Sequence, residues 1–258
     1  MKGGARSLTL TALPDVPEVL PGSDLAALLA AALEQAGLRL RAHDVLVVAQ
    51  KIVSKAEGRY VVLAGVTPQS RALELAALTG KDPRLIELIL AESTEVLRAK
   101  RDVLIVRHRL GFVMANAGID RSNLNAPAGE ERVLLLPEDP DHSAQALQGA
   151  LGARFDVAPA VIISDSFGRP WRRGVVNIAL GAAGVAALVN RRGERDRAGR
   201  PLEVTEVALA DALAAAAGLL MGEADEGLPA VLIRGLEFKA PPNAARTLIR
   251  PLDEDLFR

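Results

Sequence analysis

The sequence predicts a mixed α/β protein. Largely apolar runs typical of buried strands, at residues 44–50, 161–163 and 230–234, alternate along the chain with alanine- and leucine-rich segments of helical character. Half of the 258 residues are hydrophobic, which is enough to build a sizeable core. We find no internal repeat and no linker-like stretch, so we expect a single domain over residues 1–258.

Composition excludes several classes of function. The formal net charge of −1 gives no electrostatic basis for binding nucleic acid. The absence of cysteine excludes disulfides, zinc-thiolate sites and thiol nucleophiles. The most apolar segment, Ala212–Met221, is too short to span a bilayer, and Met1–Arg6 is not followed by the apolar segment of a signal peptide. We therefore expect a soluble, cytoplasmic protein with neither nucleic acid nor membrane as a partner.

Several elements carry clear local signals. Alternating polar and apolar residues predict a strand at Ser7–Ala12, and Ser23 or Asp24 is expected to cap a helix that runs to Gly37. The other elements predicted in this way are strands at Tyr60–Leu63, Val103–Arg107, Phe112–Ala115, Val133–Leu136 and Ala230–Arg234, and helices that start at Thr67-Pro68 and Asp82-Pro83.

Other segments carry divided signals. Glu92 and Glu95 would share a face if the preceding helix continued, either as metal ligands or as a solvated acidic helix end. A later helix is expected to be capped by Asp141 or Ser143.

Two C-terminal segments differ in how clearly their sequence predicts secondary structure. Residues 175–186 fit a strand or a buried helix equally well, because periodicity does not separate the two in such an apolar run. Residues 203–221 predict the longest helix of the chain.

The stretch at residues 161–174 is where we expect the chemistry. A predicted buried strand ends in Asp165 and Ser166, and Arg169, Arg172 and Arg173 follow within eight residues. A carboxylate at a strand end suits a hard cation, and arginines suit phosphate or carboxylate groups. The alternative is a polar turn whose arginines form surface ion pairs.

Charged residues also follow other predicted elements. Lys51 and Lys55 come after the first buried strand, in a loop that either faces a phosphate or is solvated. Asp120 follows the predicted strand pair, and Glu223 lies in an acidic loop between two glycines. Together with Asp165 these residues suggest a site for metal and phosphate, in which divalent ions neutralise the phosphate charge.

Common catalytic motifs are absent. The sequence contains no Walker-type phosphate loop, no Gly-x-Gly-x-x-Gly after a strand and no Gly-x-Ser-x-Gly elbow. His43, His108 and His142 lack metal-ligand spacing, so we expect ordinary structural or surface roles for them. Trp171 is either a platform that stacks on a ring or an anchor in the core or an interface.

Five motifs, taken in order, resemble those of one protein family. They are Val53-Ser54-Lys55-Ala56-Glu57-Gly58-Arg59, Asn116-Ala117-Gly118-Ile119-Asp120, Asp165-Ser166-Phe167-Gly168-Arg169-Pro170, Arg172-Arg173-Gly174 and Met221-Gly222-Glu223. The family is that of the coenzyme F420-0:L-glutamate ligases, the gamma-glutamyl ligases of deazaflavin coenzyme biosynthesis. The similarity runs from Leu13 to about Gly235, and the combination is far more specific than any one motif.

The resemblance implies a ligase that uses GTP and two Mg²⁺ or Mn²⁺ ions, with K⁺ as an additional candidate cofactor. It implies addition of L-glutamate to F420-0, a deazaflavin linked to lactyl phosphate, and then of further γ-linked glutamates. It also implies an unusual α/β fold with mixed sheets and flanking helices, which forms an intertwined homodimer. Some actinobacterial relatives carry a C-terminal flavin-binding, nitroreductase-like domain, which we do not expect here because the sequence ends at Arg258.

Carried over residue by residue, the resemblance implies that Asp120 and Asp165 hold one metal ion and that Ser166 with Glu223 holds the second. Ser166 stands where some members have threonine, and its hydroxyl can still coordinate. The implied GTP contacts are Leu13, Pro14, Asp15, Val16, Gln50, Lys55, Asn123 and Met221, of which the position of Gln50 varies in the family. The groups expected to offset charge during catalysis are Lys55, Arg169 and Arg172.

The expected reaction activates a carboxylate of the acceptor as an acyl phosphate, which the amine of glutamate then attacks. Because both steps join separately bound reactants, we expect positioning to dominate catalysis. Two other functions fit the same residues. One is a metal-dependent phosphotransferase or hydrolase acting on another nucleotide-linked substrate, and the other is a GTP-binding module without catalysis.

Overall fold

The computed structural model describes residues 6–124, 129–237 and 239–255, and it confirms the mixed α/β class. The strands, numbered in chain order, are β1 (Thr9–Ala12), β2 (Val45–Ala49), β3 (Tyr60–Val62), β4 (Ser93–Lys100), β5 (Val103–His108), β6 (Val113–Ala115), β7 (Arg132–Leu134), β8 (Ala160–Arg169), β9 (Arg172–Ala183), β10 (Leu188–Asn190), β11 (Glu206–Ala208) and β12 (Ala230–Arg234). The α-helices are α1 (Leu25–Gln35), α2 (Gln50–Ala56), α3 (Ser70–Thr79), α4 (Pro83–Ala91), α5 (Pro140–Phe155) and α6 (Leu209–Met221).

A five-stranded sheet in the order β1-β12-β2-β8-β9 forms the centre of the fold. Strands β2 and β8 run parallel, whereas the other neighbouring strands of this sheet are antiparallel. Val45 and Val47 of β2 pack on one face, while Leu46 and Val48 pack on the other. A central strand covered on both faces is apolar at every position, which is why the sequence pattern identified it.

Helices cover both faces of this sheet. Helices α1 and α5 pack on one face through Leu29, Leu33 and Leu151, all fully buried. Helix α6 packs on the other face, where Ala214 and Ala217 bring its backbone close to the strands.

A second layer lies beside the central sheet. The pair β3–β7, the three-stranded sheet β4–β5–β6 and helices α3 and α4 surround their own apolar core, which includes Leu75, Ile86 and Leu104. The two layers meet where the ring of Phe112 contacts that of Phe167 edge-on, with centroids 6.0 Å apart. This contact ties the long β8–β9 hairpin to the second layer.

The helix caps agree with the sequence prediction at two helices and differ at two others. Asp24 and Asp82 cap α1 and α4 as predicted, each accepting a backbone N–H of the first turn. Helix α3 begins at Ser70 rather than at Thr67-Pro68, because Gln69 is still extended and donates its N–H to a side chain of α4.

Helix α5 is capped by Asp139, not by Asp141 or Ser143. The Asp139 carboxylate accepts the N–H of His142 at 3.0 Å. Asp141 is buried in the first turn and accepts the backbone N–H groups of Ala182 and Ala245 at 2.9 and 2.7 Å, so its role is to join α5 to distant segments.

Glu92 and Glu95 do not share a helical face, because α4 ends at Ala91 and the chain enters β4. Glu92 accepts hydrogen bonds from Arg59 and Arg109, each at 3.2 Å. His108, whose Nε2 lies 3.4 Å from Glu92 Oε2, and the guanidinium charges of Arg109 and Arg59 lower the pKa of Glu92 to about 2, although burial opposes the shift. The solvated acidic helix end was therefore a wrong prediction, and Glu92 is a partly buried structural anion.

Two C-terminal predictions are also resolved by the structure. Residues 175–186 lie mostly in strand β9, not in a buried helix. Helix α6 is shorter than predicted because residues 206–208 form β11, and the longest helix among the described residues is α5.

The tip of the β8–β9 hairpin projects into solvent. Trp171 is 88 % exposed and has a φ of +64° at the turn between the two strands. It is not a core residue in this chain. Within the described ranges, no helix combines the length and the apolar character needed to cross a membrane, and residues 1–5 of the N-terminal segment lie outside those ranges.

We predict that the contact between β9 and α5 tolerates no side chain at Gly181, where a Cβ would overlap the carbonyl of Pro140. The Gly181→Ala variant should lose at least about 2 kcal/mol of unfolding free energy, as overpacked positions do. The matched Gly149→Ala variant, with open space around a helical glycine, should gain about 0.5–1 kcal/mol from helix propensity. Urea denaturation measures both, and equal stability of the two variants would contradict this packing.

Candidate functional site

A large cavity of about 1140 Å³ opens at the edge of the central sheet where β2 ends. Its walls come from the start of α2, the β8–β9 hairpin, the loop after β6 and the loop after α6. These segments are far apart in sequence, and each carries charged residues that were predicted to belong to the site.

The cavity exists because strands β2 and β8 diverge. Their parallel pairing ends at Ala49 and Ser164. Beyond that point β2 turns into α2, whereas β8 continues against β9 as far as Arg169. Asp165 and Ser166 therefore lie inside β8, and the prediction that they end the strand is wrong. Both line the cavity just past the end of β2.

Helix α2 replaces the loop that was predicted after β2. Lys51 and Lys55 are four residues apart and so lie on one face of this helix, which lines the cavity. Lys55 is only 9 % exposed. Burial lowers the pKa of Lys55, the charges of Lys51 and Arg132 lower it further, and Glu18 opposes this shift.

Asp120 follows a left-handed turn. Asn116, Ala117 and Gly118 all have positive φ values, of 53°, 53° and 66°. Such a backbone is costly for residues with a Cβ, so it must be held by its surroundings. Ala117 is fully buried in the core of the second layer, and Asp120 itself pairs with Leu134 through two backbone hydrogen bonds of 2.9 Å.

The carboxylate of Asp120 is fully engaged. Lys51 Nζ lies 2.7 Å from Oδ2. Oδ1 accepts both the backbone N–H and the hydroxyl of Ser122, each at 2.8 Å. Burial alone would raise the pKa of Asp120, but these hydrogen bonds outweigh it and the pKa lies below its ordinary value.

The pKa of Asp165 is shifted in the opposite direction to that of Asp120. Burial, reinforced by the negative charges of Asp120 and Glu223, raises the pKa of Asp165 to about 7, although the backbone N–H of Ser166 and the charge of Lys51 oppose the shift. The negative charges of Asp120 and Glu223 therefore add to burial in disfavouring the ionised form of Asp165.

Glu223 enters the cavity from the end of α6. The helix stops at Met221, and Gly222 turns the chain with a φ of +71°, a conformation that glycine adopts without strain. Met221 and Glu223 both line the cavity. The side chain of Met221 is 8 % exposed, with the hydroxyl of Ser164 4.0 Å from its sulfur.

The structure brings most of the predicted site residues together. The cavity is lined by Val16, Gln50, Lys55, Asp120, Asn123, Asp165, Ser166, Arg169, Met221 and Glu223. Pro14, Asp15 and Arg172 are not among the residues that line it. Leu13 is fully buried in the core and donates its N–H to the carbonyl of Ala230 at 2.8 Å.

The oxygen groups around the cavity fit divalent cations in kind. Mg²⁺ and Mn²⁺ prefer carboxylate and hydroxyl oxygens and keep positions for phosphate and water. Among the described residues, no three acidic or imidazole groups form a ready-made cluster. Asp120, Asp165, Ser166 and Glu223 supply oxygen atoms of this kind to the cavity.

Comparison with known proteins places this chain in a family. Residues 15–235 match the family model described as F420-0:Gamma-glutamyl ligase. The chain belongs to the F420-0:gamma-glutamyl ligase family. The family assignment made from the sequence motifs is therefore confirmed.

Curated relatives in this gamma-glutamyl ligase family align over nearly their whole length. The chain is 47 % identical to the coenzyme F420:L-glutamate ligase of Methanopyrus kandleri, with 99 % of this chain and 100 % of the relative covered. It is 45 % identical to that of Methanothermobacter thermautotrophicus, with 97 % and 99 % covered. It is 43 % identical to that of Haloarcula marismortui, with 96 % and 94 % covered.

Two groups in the cavity were not among the site residues that the family resemblance implies. Lys51 was predicted only as part of a loop that either faces a phosphate or is solvated, and Ser122 was not considered. The spacing of four residues between Lys51 and Lys55 places both on one face only if the segment is helical. Because a loop was predicted there, the spacing was not used.

We predict that ionised Asp165 destabilises the metal-free protein. Its pKa of about 7 in the fold lies above the ordinary 3.8, so the stability contribution of the protonated form is complete below about pH 4 and is lost as the pH rises through 7. At pH 8 the Asp165→Asn variant should therefore be more stable than the wild type by roughly 1–3 kcal/mol.

Urea denaturation in the presence of a chelator, at pH 4.5 and at pH 8, tests this expectation. The advantage of Asp165→Asn should be small at the lower pH and large at the higher one. The same difference at both pH values would show that the carboxyl is not desolvated in the fold.

Proposed function

We propose that this protein is a GTP-dependent ligase that adds L-glutamate to coenzyme F420-0, and then adds further glutamates through γ-linkages. The observation that carries the proposal is near-full-length similarity to coenzyme F420:L-glutamate ligases, together with one cavity that combines their motif residues. The cavity brings Asp120, Asp165 and Glu223 together with two lysines, a combination that suits the handling of phosphate and metal ions.

A carboxylate is a poor acyl electrophile, so amide formation needs activation. In the proposed first step, a terminal carboxylate oxygen of the acceptor attacks the γ-phosphorus of GTP, an acyl phosphate forms and GDP leaves. In the second step the amine of glutamate attacks the acyl carbon, the bond from that carbon to the phosphate oxygen breaks, and inorganic phosphate leaves. The amine loses its protons to solvent or to a base that these residues do not identify.

Bound Mg²⁺ or Mn²⁺ would neutralise phosphate charge and help to align the reacting oxygens. Asp120 and Asp165 would hold one ion, and Ser166 with Glu223 the other. K⁺ is an additional candidate. Residues of the chain would orient the substrates and stabilise the developing charge.

Lys55 and Arg169 are the groups that we propose for stabilising the charge that develops on the transferred phosphoryl group. Lys55 is held by α2 at low exposure, where its charge is weakly screened. Arg169 lines the cavity from β8. We do not keep Arg172 in this role, because it is exposed on the hairpin and lies outside the cavity lining.

The nucleotide would occupy the part of the cavity near Val16, Gln50, Asn123 and Met221. We also propose that the protein is a homodimer, as the family resemblance implies. The exposed β8–β9 hairpin supports this, because a projecting arm is available for exchange between two copies.

We predict that the protein incubated with GTP, Mn²⁺, L-glutamate and F420-0 adds one or more masses of a glutamyl residue to the deazaflavin. The Asp165→Asn variant should lose at least about 100-fold in this rate, because removal of a ligand or charge-stabilising group at a reacting phosphate costs about that much. The Asp196→Asn variant, altered in a surface turn, should keep the wild-type rate.

Mass spectrometry of the deazaflavin and a phosphate assay on the same samples read the result. GTP turnover that does not need the acceptor would favour a phosphotransferase or hydrolase. Tight GTP binding without any turnover would favour a binding module. Near-normal turnover of Asp165→Asn would contradict the metal assignment.

A further inference from the structure

Lys51 forms a compact arrangement with the loop that carries Asp120. Its ammonium lies 2.7 Å from Asp120 Oδ2, 3.1 Å from the hydroxyl of Ser122 and 3.4 Å from the carbonyl of Ser122. The side chains of Lys51 and Asp120 are 26 % and 22 % exposed, so the pair is only partly screened by water.

Both oxygens of the Asp120 carboxylate already have partners in this arrangement. Oδ1 accepts two hydrogen bonds from Ser122, and Oδ2 holds the ammonium of Lys51. A divalent cation needs an oxygen at a short, direct distance, and it cannot share Oδ2 with an ammonium at 2.7 Å without strong repulsion. Binding of the cation to Asp120 therefore requires Lys51 to move away from Oδ2.

We propose that Lys51 is the counter-cation of the metal-free site, which a divalent ion displaces from Asp120 and which then binds the phosphates of the nucleotide. This inference rests on the proposed function, because it takes metal and nucleotide to be the ligands of the cavity. It assigns Lys51 a positioning role before binding and a phosphate-binding role afterwards.

Helix α2 makes the second role geometrically direct. Lys51 and Lys55 lie on the same face of this helix and both line the cavity. A displaced Lys51 side chain therefore stays in the space that would hold the nucleotide, where a second ammonium offsets the negative charge of the phosphates.

A purely structural role for Lys51 predicts the opposite effect on metal binding. If Lys51 only held the loop of residues 120–122 in shape, its removal would disorder Asp120 and weaken metal binding. If Lys51 competes with the metal, its removal frees Oδ2 and strengthens binding. The sign of the change separates the two roles.

The experiment is a calorimetric titration of Mn²⁺ alone into the full chain, without GTP, glutamate or acceptor. We predict that Lys51→Met binds Mn²⁺ about two- to fivefold more tightly than the wild type, the factor expected for a partly exposed ion pair that no longer competes. Lys51→Arg retains a cation and should bind no more tightly than the wild type. Lys55→Met removes the same charge from the same face without breaking the contact with Asp120, so its gain should be smaller.

A second titration with GTP in the presence of saturating Mn²⁺ tests the later role. Lys51→Met should bind GTP roughly tenfold more weakly, as expected for loss of a charged contact to phosphate, and Lys51→Arg should recover part of the affinity. Thermal unfolding of each variant identifies misfolded protein, and Lys51→Gln replaces Lys51→Met if the latter does not fold.

Each outcome bears on a separate claim. Unchanged or weaker Mn²⁺ binding by folded Lys51→Met overturns the competition, and unchanged GTP binding overturns the transfer to phosphate. A wild-type protein that binds no Mn²⁺ overturns this inference together with the metal assignment. Because neither titration contains the acceptor, their failure is distinguishable from failure of the glutamate-adding activity.

Discussion

The parallel pairing of β2 with β8 is the constraint on which the rest of the site depends. It stops at Ala49 and Ser164, and the two chains then take different courses. One forms α2 and carries the lysines, and the other forms the hairpin with β9 and carries Asp165 and Ser166. Because central strands covered by helices on both faces cannot slip without burying polar groups, this divergence is fixed as firmly as the core itself.

Charge balance is the second organising feature of the cavity. Asp120 is neutralised by Lys51 and hydrogen-bonded by Ser122, whereas burial raises the pKa of Asp165 to about 7 and, among the described residues, no ion pair offsets its charge. The two aspartates that we propose as ligands of one metal ion thus differ in their electrostatic surroundings. The difference comes from the chain around each carboxyl group, since Asp120 lies in a polar loop and Asp165 in a buried strand.

Much of the fold could be predicted from local sequence. Strands β2 and β12 were evident because a doubly covered strand is apolar throughout, and the caps Asp24 and Asp82 precede apolar helical repeats. Helix α2 could not be predicted in the same way. Its segment is short and polar, and it is held by packing of Ile52 and Val53 against the core, which depends on distant residues.

Which acidic residues line the cavity could be expected from the sequence, but their geometry could not. Asp120, Asp165 and Glu223 were recognisable as acidic groups after buried elements, and the family motifs linked them. That Asp165 lies within β8 follows from pairing with β9, and the ion pair of Lys51 with Asp120 joins distant parts of the chain. Neither contact leaves a local pattern in the sequence.

The exposed hairpin tip also has an optical consequence. Trp171 is the single tryptophan of the chain and it stands almost wholly in water, while Tyr60 lies in the second layer and away from the hairpin. Indole emission excited selectively therefore comes from one known position. Whatever covers that turn, whether a second copy of the chain or a ring stacked on the indole, changes its polarity and so becomes visible in the fluorescence of the unlabelled protein.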